Sequence, residues 1–517
     1  MKQLRMILWG SVFFLFPLYI LGNNIQINFI NTGAADVSLG VNHPANFIPV
    51  QFGLQWENSW RVSTSTNNWD AAWVFMKFRK KGGIWQHAHL HTGGHTGPLG
   101  CMIEASADGV GAMVYRSQNG NGGIQFSPIS LRWNYGADSL GDHEVFDLRI
   151  FVIEMVYIPG GSFQLGEASS PSARGSFKNA NNTSAFPVNS ENAVILGGSA
   201  AGSLTAQNPA AMLNADDFNS TSTKILSDSF PKGFAGFYCM KYEISQQQYT
   251  DFLNLLTYPQ QVSRTSTPPS GLPASGALSA TNANRNGIDI IVSGISPNQP
   301  AEYVCNLNNP GLFGTETDGQ WIACNFLKWS DIAAYLDWSG LRPMTEWEYE
   351  KVCRGSLPAV TSEYAWGNTT YTTATNISNN GSITEKSNNN SANVNCCNSG
   401  NILGPMRTGC MARPTGSRVT GGSSFYGVMD LSGNVSEMVV SCGNATGRAF
   451  RRRTGDGVLT GSGDANVNSW PPSNGSGCGH RGGSWQEQST FLRLADRYYG
   501  NSPPGTRQST IGGRGVR

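Results

Sequence analysis

Charge is scarce in this chain. Only 13% of its residues are charged, and 35 basic side chains stand against 34 acidic ones. Nucleic acid and anionic membrane both require a concentrated basic field, so neither is expected as a partner. The small clusters "KFRKK" (77–81) and "GRAFRRR" (447–453) read as solvated strand or loop ends. No zinc-type cysteine spacing and no CxxC pair occurs. "TGDG" and "GSGD" lack the strand and helix that frame a phosphate loop. His480 and Ser484 have no nucleophile elbow beside them, which argues against a Ser–His–Asp hydrolase. After the first two dozen residues, no apolar run is long enough to span a bilayer.

What the chain has in quantity is turn chemistry: 62 glycines, with many Asn, Ser and Thr. Residues 1–22, "MKQLRMILWGSVFFLFPLYILG", pair a basic start with an apolar run and a small-residue exit. This pattern predicts a secretory signal peptide cleaved near Gly22–Asn23, the rival being an uncleaved anchor. Export would place the protein at the cell surface or in the periplasm. The ten cysteines would then meet a disulfide-permissive compartment. Cys305 with Cys324, and Cys442 with Cys478, flank loops that a bridge would staple; Cys396, Cys397 and Cys410 flank a third. Structural disulfides are expected, with the pairing open.

Residues 23–150 contain short runs rich in Val, Ile, Phe, Tyr and Trp, such as "AAWVFMKF" and "GAMVYR", separated by Asn/Gly turns. They predict an all-β sandwich domain. From residue 151 the pattern changes. "EISQQQYTDFLNLL" carries capping-box spacing at Ser245 and Gln248, and "PMTEWEYEKVCRG" repeats it at Thr345 and Glu348. A third helix is expected in "WSDIAAYLDWSG". The Gly/Asn/Ser/Pro-rich stretches 259–287 and 367–402 read as surface insertions that bury little.

Five segments of this second region occur in a telling order. They are "EMVYIPGGSFQLG" (154–166), "FAGFYCMKYEISQQQYTDFLN" (234–254), "GLRPMTEWEYEKVCRG" (340–355), "YGVMDLSGNVSEMV" (426–439) and "HRGGSW…LRLADR…GGRGVR" (480–517). Together they resemble the formylglycine-generating enzyme, or sulfatase-modifying factor, family. Its superfamily also holds the ergothioneine sulfoxide synthases and pyoverdine-maturation proteins. The resemblance implies residues 151–517 form an α+β, C-type-lectin-like domain with little regular secondary structure.

It also implies where to look for chemistry. In the active oxidases, two cysteines after the "GGS[WY]" turn bind Cu(I), which favours soft thiolates. Here those positions are Glu487 and Leu492, so copper is not expected and the chain reads as a divergent member without the catalytic pair. The iron-dependent branch relies on a helical bundle for its histidines, and none is expected here. The family's calcium turn is better kept: its ligands map to Asp430, Gly433, Val435 and Glu437, oxygen donors that suit Ca²⁺.

The expected role is a non-catalytic binding or structural module, with a protein or glycan ligand on its loop surface. The alternative is a divergent metal-dependent oxidase acting on a protein thiol or small molecule. Ser484, Glu487 and Arg493 would be its first candidates. A further option is glycan binding by the N-terminal tryptophans. "WQHAHLHTGGH" would set His87, His89 and His91 on one strand face, a weak metal candidate. Same-face positions lie about 6–7 Å apart, wide for one ion. The plainer expectation is a solvent-facing histidine row.

Overall fold

The computed structural model describes residues 25–168, 170, 172–308, 313–413 and 416–517. The leader expected at 1–22 lies outside the described residues. Strand residues (29%) far outnumber helical ones (10%), in keeping with an α+β chain. No helix among the described residues is long and apolar enough to cross a membrane.

The chain divides into two compact units. The first covers the residues up to Val156 and takes in two short returns, 338–340 and 456–458. Its strands are β1 (Gln26–Thr32), β2 (Ile48–Val62), β3 (Asn68–Lys80), β4 (Gln86–Ala88), β5 (Cys101–Ala105), β6 (Ala112–Arg116), β7 (Gly120–Trp133) and β8 (Phe146–Ile158). β2 pairs antiparallel with β1 and β7, and β3 with β4, β6 and β8. Period-2 alternation decides the core. Val50, Phe52, Leu54 and Trp56 of β2 pack with Ala72, Val74, Met76 and Phe78 of β3 in one apolar cluster. Trp56 can be buried because its Nε1 donates to Asp70 Oδ2 at 2.8 Å. The returns are tied in by the same logic: Trp73 Nε1 donates to the Ser339 carbonyl (2.8 Å), and Lys77 Nζ to that of Gly457 (2.8 Å).

The second unit is built from short strands and four principal helices: α1 (Gln246–Leu253), α2 (Tyr258–Arg264), α3 (Trp329–Trp338) and α4 (Glu346–Arg354). The two expected capping boxes are present, at Ser245/Gln248 and Thr345/Glu348. Thr345 is fully buried. Its Oγ1 accepts from Glu348 N (3.1 Å) and donates to the Pro231 carbonyl (2.9 Å). Thr345→Ala is expected to lower the unfolding free energy by about 1–2 kcal/mol, read as a drop in urea midpoint with an unchanged slope.

Two expectations are corrected. The segments 259–287 and 367–402 were expected to bury little, and they bury several side chains each. The first contains most of α2 and buries Gln261, Arg264, Ala277 and Leu278; the second buries Ala374, Ala392, Val394 and Cys396. Polar side chains make this possible by satisfying buried backbone, as Gln261 does when its Nε2 donates to the carbonyls of Leu253 and Ala301. The disulfides are not formed: all ten cysteines are free thiols. Eight are buried, and desolvation raises the pKa of those for which a shift is resolved, as expected of small apolar core residues.

Candidate functional site

The turn 481–487 is held from both sides. The strand Cys478–Arg481 pairs antiparallel with Ser436–Val440, bringing Arg481 opposite Glu437. Gly482 and Gly483 then adopt φ of +85° and +63°. A Cβ on Gly482 would meet the Leu431 carbonyl at 2.5 Å, and one on Gly483 would meet Leu492 Cδ1 at 2.7 Å. Both positions therefore demand glycine for conformation and for space.

Beneath the turn lies a lattice of buried ions. Arg481 contacts Glu350 (2.7 Å) and Glu346 (3.3 Å); Arg497 contacts Glu346 (2.7 Å) and Asp216 (2.8 Å). Glu346 and both arginines are shielded from solvent. His480 is buried too, stacked on Tyr499 with ring centroids 4.2 Å apart. Desolvation pushes its pKa down to about 3, so it stays neutral and is a poor proton shuttle near neutrality.

Of the sequence-derived catalytic candidates, the fold joins two. Ser484 Oγ donates to Glu487 Oε2. Burial raises the Glu487 carboxyl, and the Ser484 hydrogen bond opposes that rise. Arg493 turns elsewhere and donates to Ser172 Oγ at 2.8 Å. Leu492 is fully buried in an apolar cluster with Tyr364, Trp366, Val394 and Cys396. A carboxyl tied to a serine and a leucine in a core do not fit copper.

The turn 430–437, where the resemblance places calcium, is more informative. Asp430, Gly433 and Asn434 all have positive φ, which curls 430–437 tightly. Glu437 is fully buried: its Oε1 accepts from Arg514 at 2.7 Å, while its Oε2 has no hydrogen-bond partner. Asp430 Oδ2 accepts from Gly409 N (2.6 Å). A third carboxylate, unnoticed in the sequence, joins them. Glu243 accepts from Val435 N (3.0 Å) and Asn434 Nδ2 (2.7 Å). Burial pushes Glu243, Asp430 and Glu437 all upward, and Glu243 feels the charge of the other two. Arg514 is the guanidinium that contacts Glu437. Among the described residues no three His, Cys, Asp or Glu side chains form a ready metal cage. A calcium ion here would draw on Asp430, Glu437 and the carbonyls of Gly433 and Val435, and the unpartnered Glu437 oxygen fits that donor set.

The histidine run does not form the solvent-facing row expected of it. β4 ends at Ala88. His87 is buried against Phe75, with Nε2 2.7 Å from the Val110 carbonyl. His89 Nδ1 lies 2.6 Å from Asp138, whose hydrogen bond raises the imidazole pKa. His91 packs edge-on against Phe47. The His87 and His89 rings also meet edge-on, with centroids 5.4 Å apart.

The model of a family described as "Sulfatase-modifying factor enzyme 1-like domain" matches residues 148–517. No curated protein sequence matches the chain.

Proposed function

Since the chain belongs to the sulfatase-modifying factor enzyme 1-like family across residues 148–517, we propose that it keeps that scaffold as a binding or structural module and has lost the copper oxidase chemistry. The observation that carries this reading is the fate of the two copper positions. Leu492 is sealed in a core and Glu487 is bonded to Ser484. Neither supplies the thiolate that Cu(I) requires.

On this reading the second unit is lectin-like in architecture, carries calcium at the 430–437 turn and binds a protein or glycan through its surface loops. Export to the cell surface or periplasm rests on the leader sequence alone. The Ser484–Glu487 pair favours one rival, a divergent oxidase with another metal, because a carboxyl raised by burial and bonded to a hydroxyl is also a general-base arrangement.

Oxygen consumption separates the two. The purified chain is given Cu(I), Fe(II) or Ca²⁺ with a cysteine-containing sulfatase-type peptide. The binding-module reading expects background uptake in every case. Metal-dependent uptake that disappears in Glu487→Ala would replace it with the oxidase reading.

A further inference from the structure

Cys396 and Cys397 are adjacent, and their Sγ atoms lie 3.0 Å apart. They are not placed at random. The Cys397 N–H donates to the Glu487 carbonyl (3.0 Å), and the Asn398 N–H to that of Trp485 (2.8 Å). Thr373 Oγ1 donates to the Cys396 carbonyl at 3.0 Å. The pair is thus pinned directly onto the turn that holds Ser484 and Glu487. Cys396 packs in the cluster with Leu492, the residue at the second copper position.

Three features make this pair chemically distinctive. Cys397 has φ of +65°, a left-handed conformation that is unfavourable for a non-glycine residue and persists where surrounding bonds hold it. Cys397 is partly buried and Cys396 fully buried, so Cys397 is assigned the attacked sulfur and Cys396, whose thiol burial pushes up, the resolving one. Finally, neighbouring Cα atoms sit about 3.8 Å apart, below the usual ~4.4–6.8 Å span of a disulfide. A bridge closed between them is strained, and strained bridges are the readily reduced, reactive ones.

We propose that Cys396 and Cys397 form a thiol–disulfide exchange site whose substrates are thiols of peptides or small molecules. In its oxidised form, a substrate thiolate attacks Cys397 Sγ. The Cys396–Cys397 bond breaks, and Cys396 leaves as a thiolate and takes up a proton. A second substrate thiolate attacks the substrate sulfur of the mixed disulfide and releases Cys397. Two substrate thiols become one disulfide, and the protein gains the two electrons as a dithiol. A second disulfide, of a small molecule or protein, reoxidises the pair by the reverse exchange. The site uses neither copper nor Glu487, so it stands apart from the binding-module reading.

The test uses the full chain and an excess of an aromatic disulfide, dithiodipyridine, followed by peptide mass mapping. In the native chain the peptide bearing 396 and 397 should lose two hydrogens and keep no pyridyl adduct, because Cys396 expels it. Cys396→Ser should retain the adduct on Cys397, and Cys397→Ser should carry none. Excess glutathione should return the native pair to two thiols. A native pair that stays as free thiols, or that carries stable adducts, overturns the proposal. Thermal midpoints of both serine variants close to the native value establish that they are folded. Oxygen uptake tests the earlier reading separately, since Glu487→Ala leaves both thiols in place.

Discussion

Glu346→Ala is expected to be among the most destabilising single substitutions in the second unit, at about 3–5 kcal/mol. Glu346 opens α4 and is fully buried. Its Oε2 accepts from Arg497 Nε (2.7 Å) and Arg481 (3.3 Å); its Oε1 accepts from Cys442 N (2.9 Å) and Ser441 Oγ (3.1 Å). Removing the carboxylate leaves two guanidinia short of countercharge, and desolvated charge is costly when unpaired. Arg497 retains Asp216, and Arg481 retains Glu350, which limits the loss. Urea unfolding followed by tryptophan fluorescence gives the number.

The same residue sets a pH dependence. Burial alone would raise the Glu346 carboxyl, but Arg497 and Arg481 outweigh it and hold it below the usual range. A carboxylate depressed in the folded state contributes stability above its unfolded pKa, and that contribution is lost as pH falls through the folded value. His480, held down to about 3 by burial, adds to the acid limb, because the unfolded imidazole takes a proton near 6.5 and the folded one does not. Asp216 on the far side of Arg497 is pushed up by burial and works the other way, so the acid limb is assigned to Glu346 and His480. Glu346→Gln should flatten the part of the stability profile below about pH 4.5.

Calcium is the second large effect expected. At a hundredfold excess over its dissociation constant, a ligand that binds the folded state stabilises by about 2.7 kcal/mol. The thermal midpoint in excess Ca²⁺ should therefore exceed that in chelator by several degrees, and Glu437→Gln should abolish the difference. Equal midpoints for the native chain in calcium and in chelator would remove calcium from the account.

What the sequence revealed follows the range of the interactions. Capping boxes at Ser245 and Thr345 were legible because donor and acceptor sit three residues apart. The family motifs located the turns at 430–437 and 481–487 for the same local reason. The buried ion lattice was only partly legible. Arg497 and Glu346 both lie in quoted motifs, but Asp216 is 281 residues from Arg497 and carries no local signal. Glu243 was hidden inside a helix-entry motif. The disulfide expectation failed because spacing around a loop does not give the distance between sulfurs. Spacing groups Cys396 and Cys397 with Cys410 around a loop, and only the hydrogen bonds from 397 and 398 tie the pair to the 485–487 turn. His87 was misplaced because burial depends on Phe75 and Val110, which the local pattern does not contain.

The sulfatase-modifying-factor scaffold is proposed to survive here without its copper chemistry. The most direct measurement is the product of a single incubation. The purified full chain, Cu(I), oxygen and a cysteine-containing sulfatase-type peptide are combined, and the peptide is examined by mass spectrometry. No cysteine is expected to be converted to formylglycine. Copper-dependent appearance of formylglycine in that peptide would contradict it.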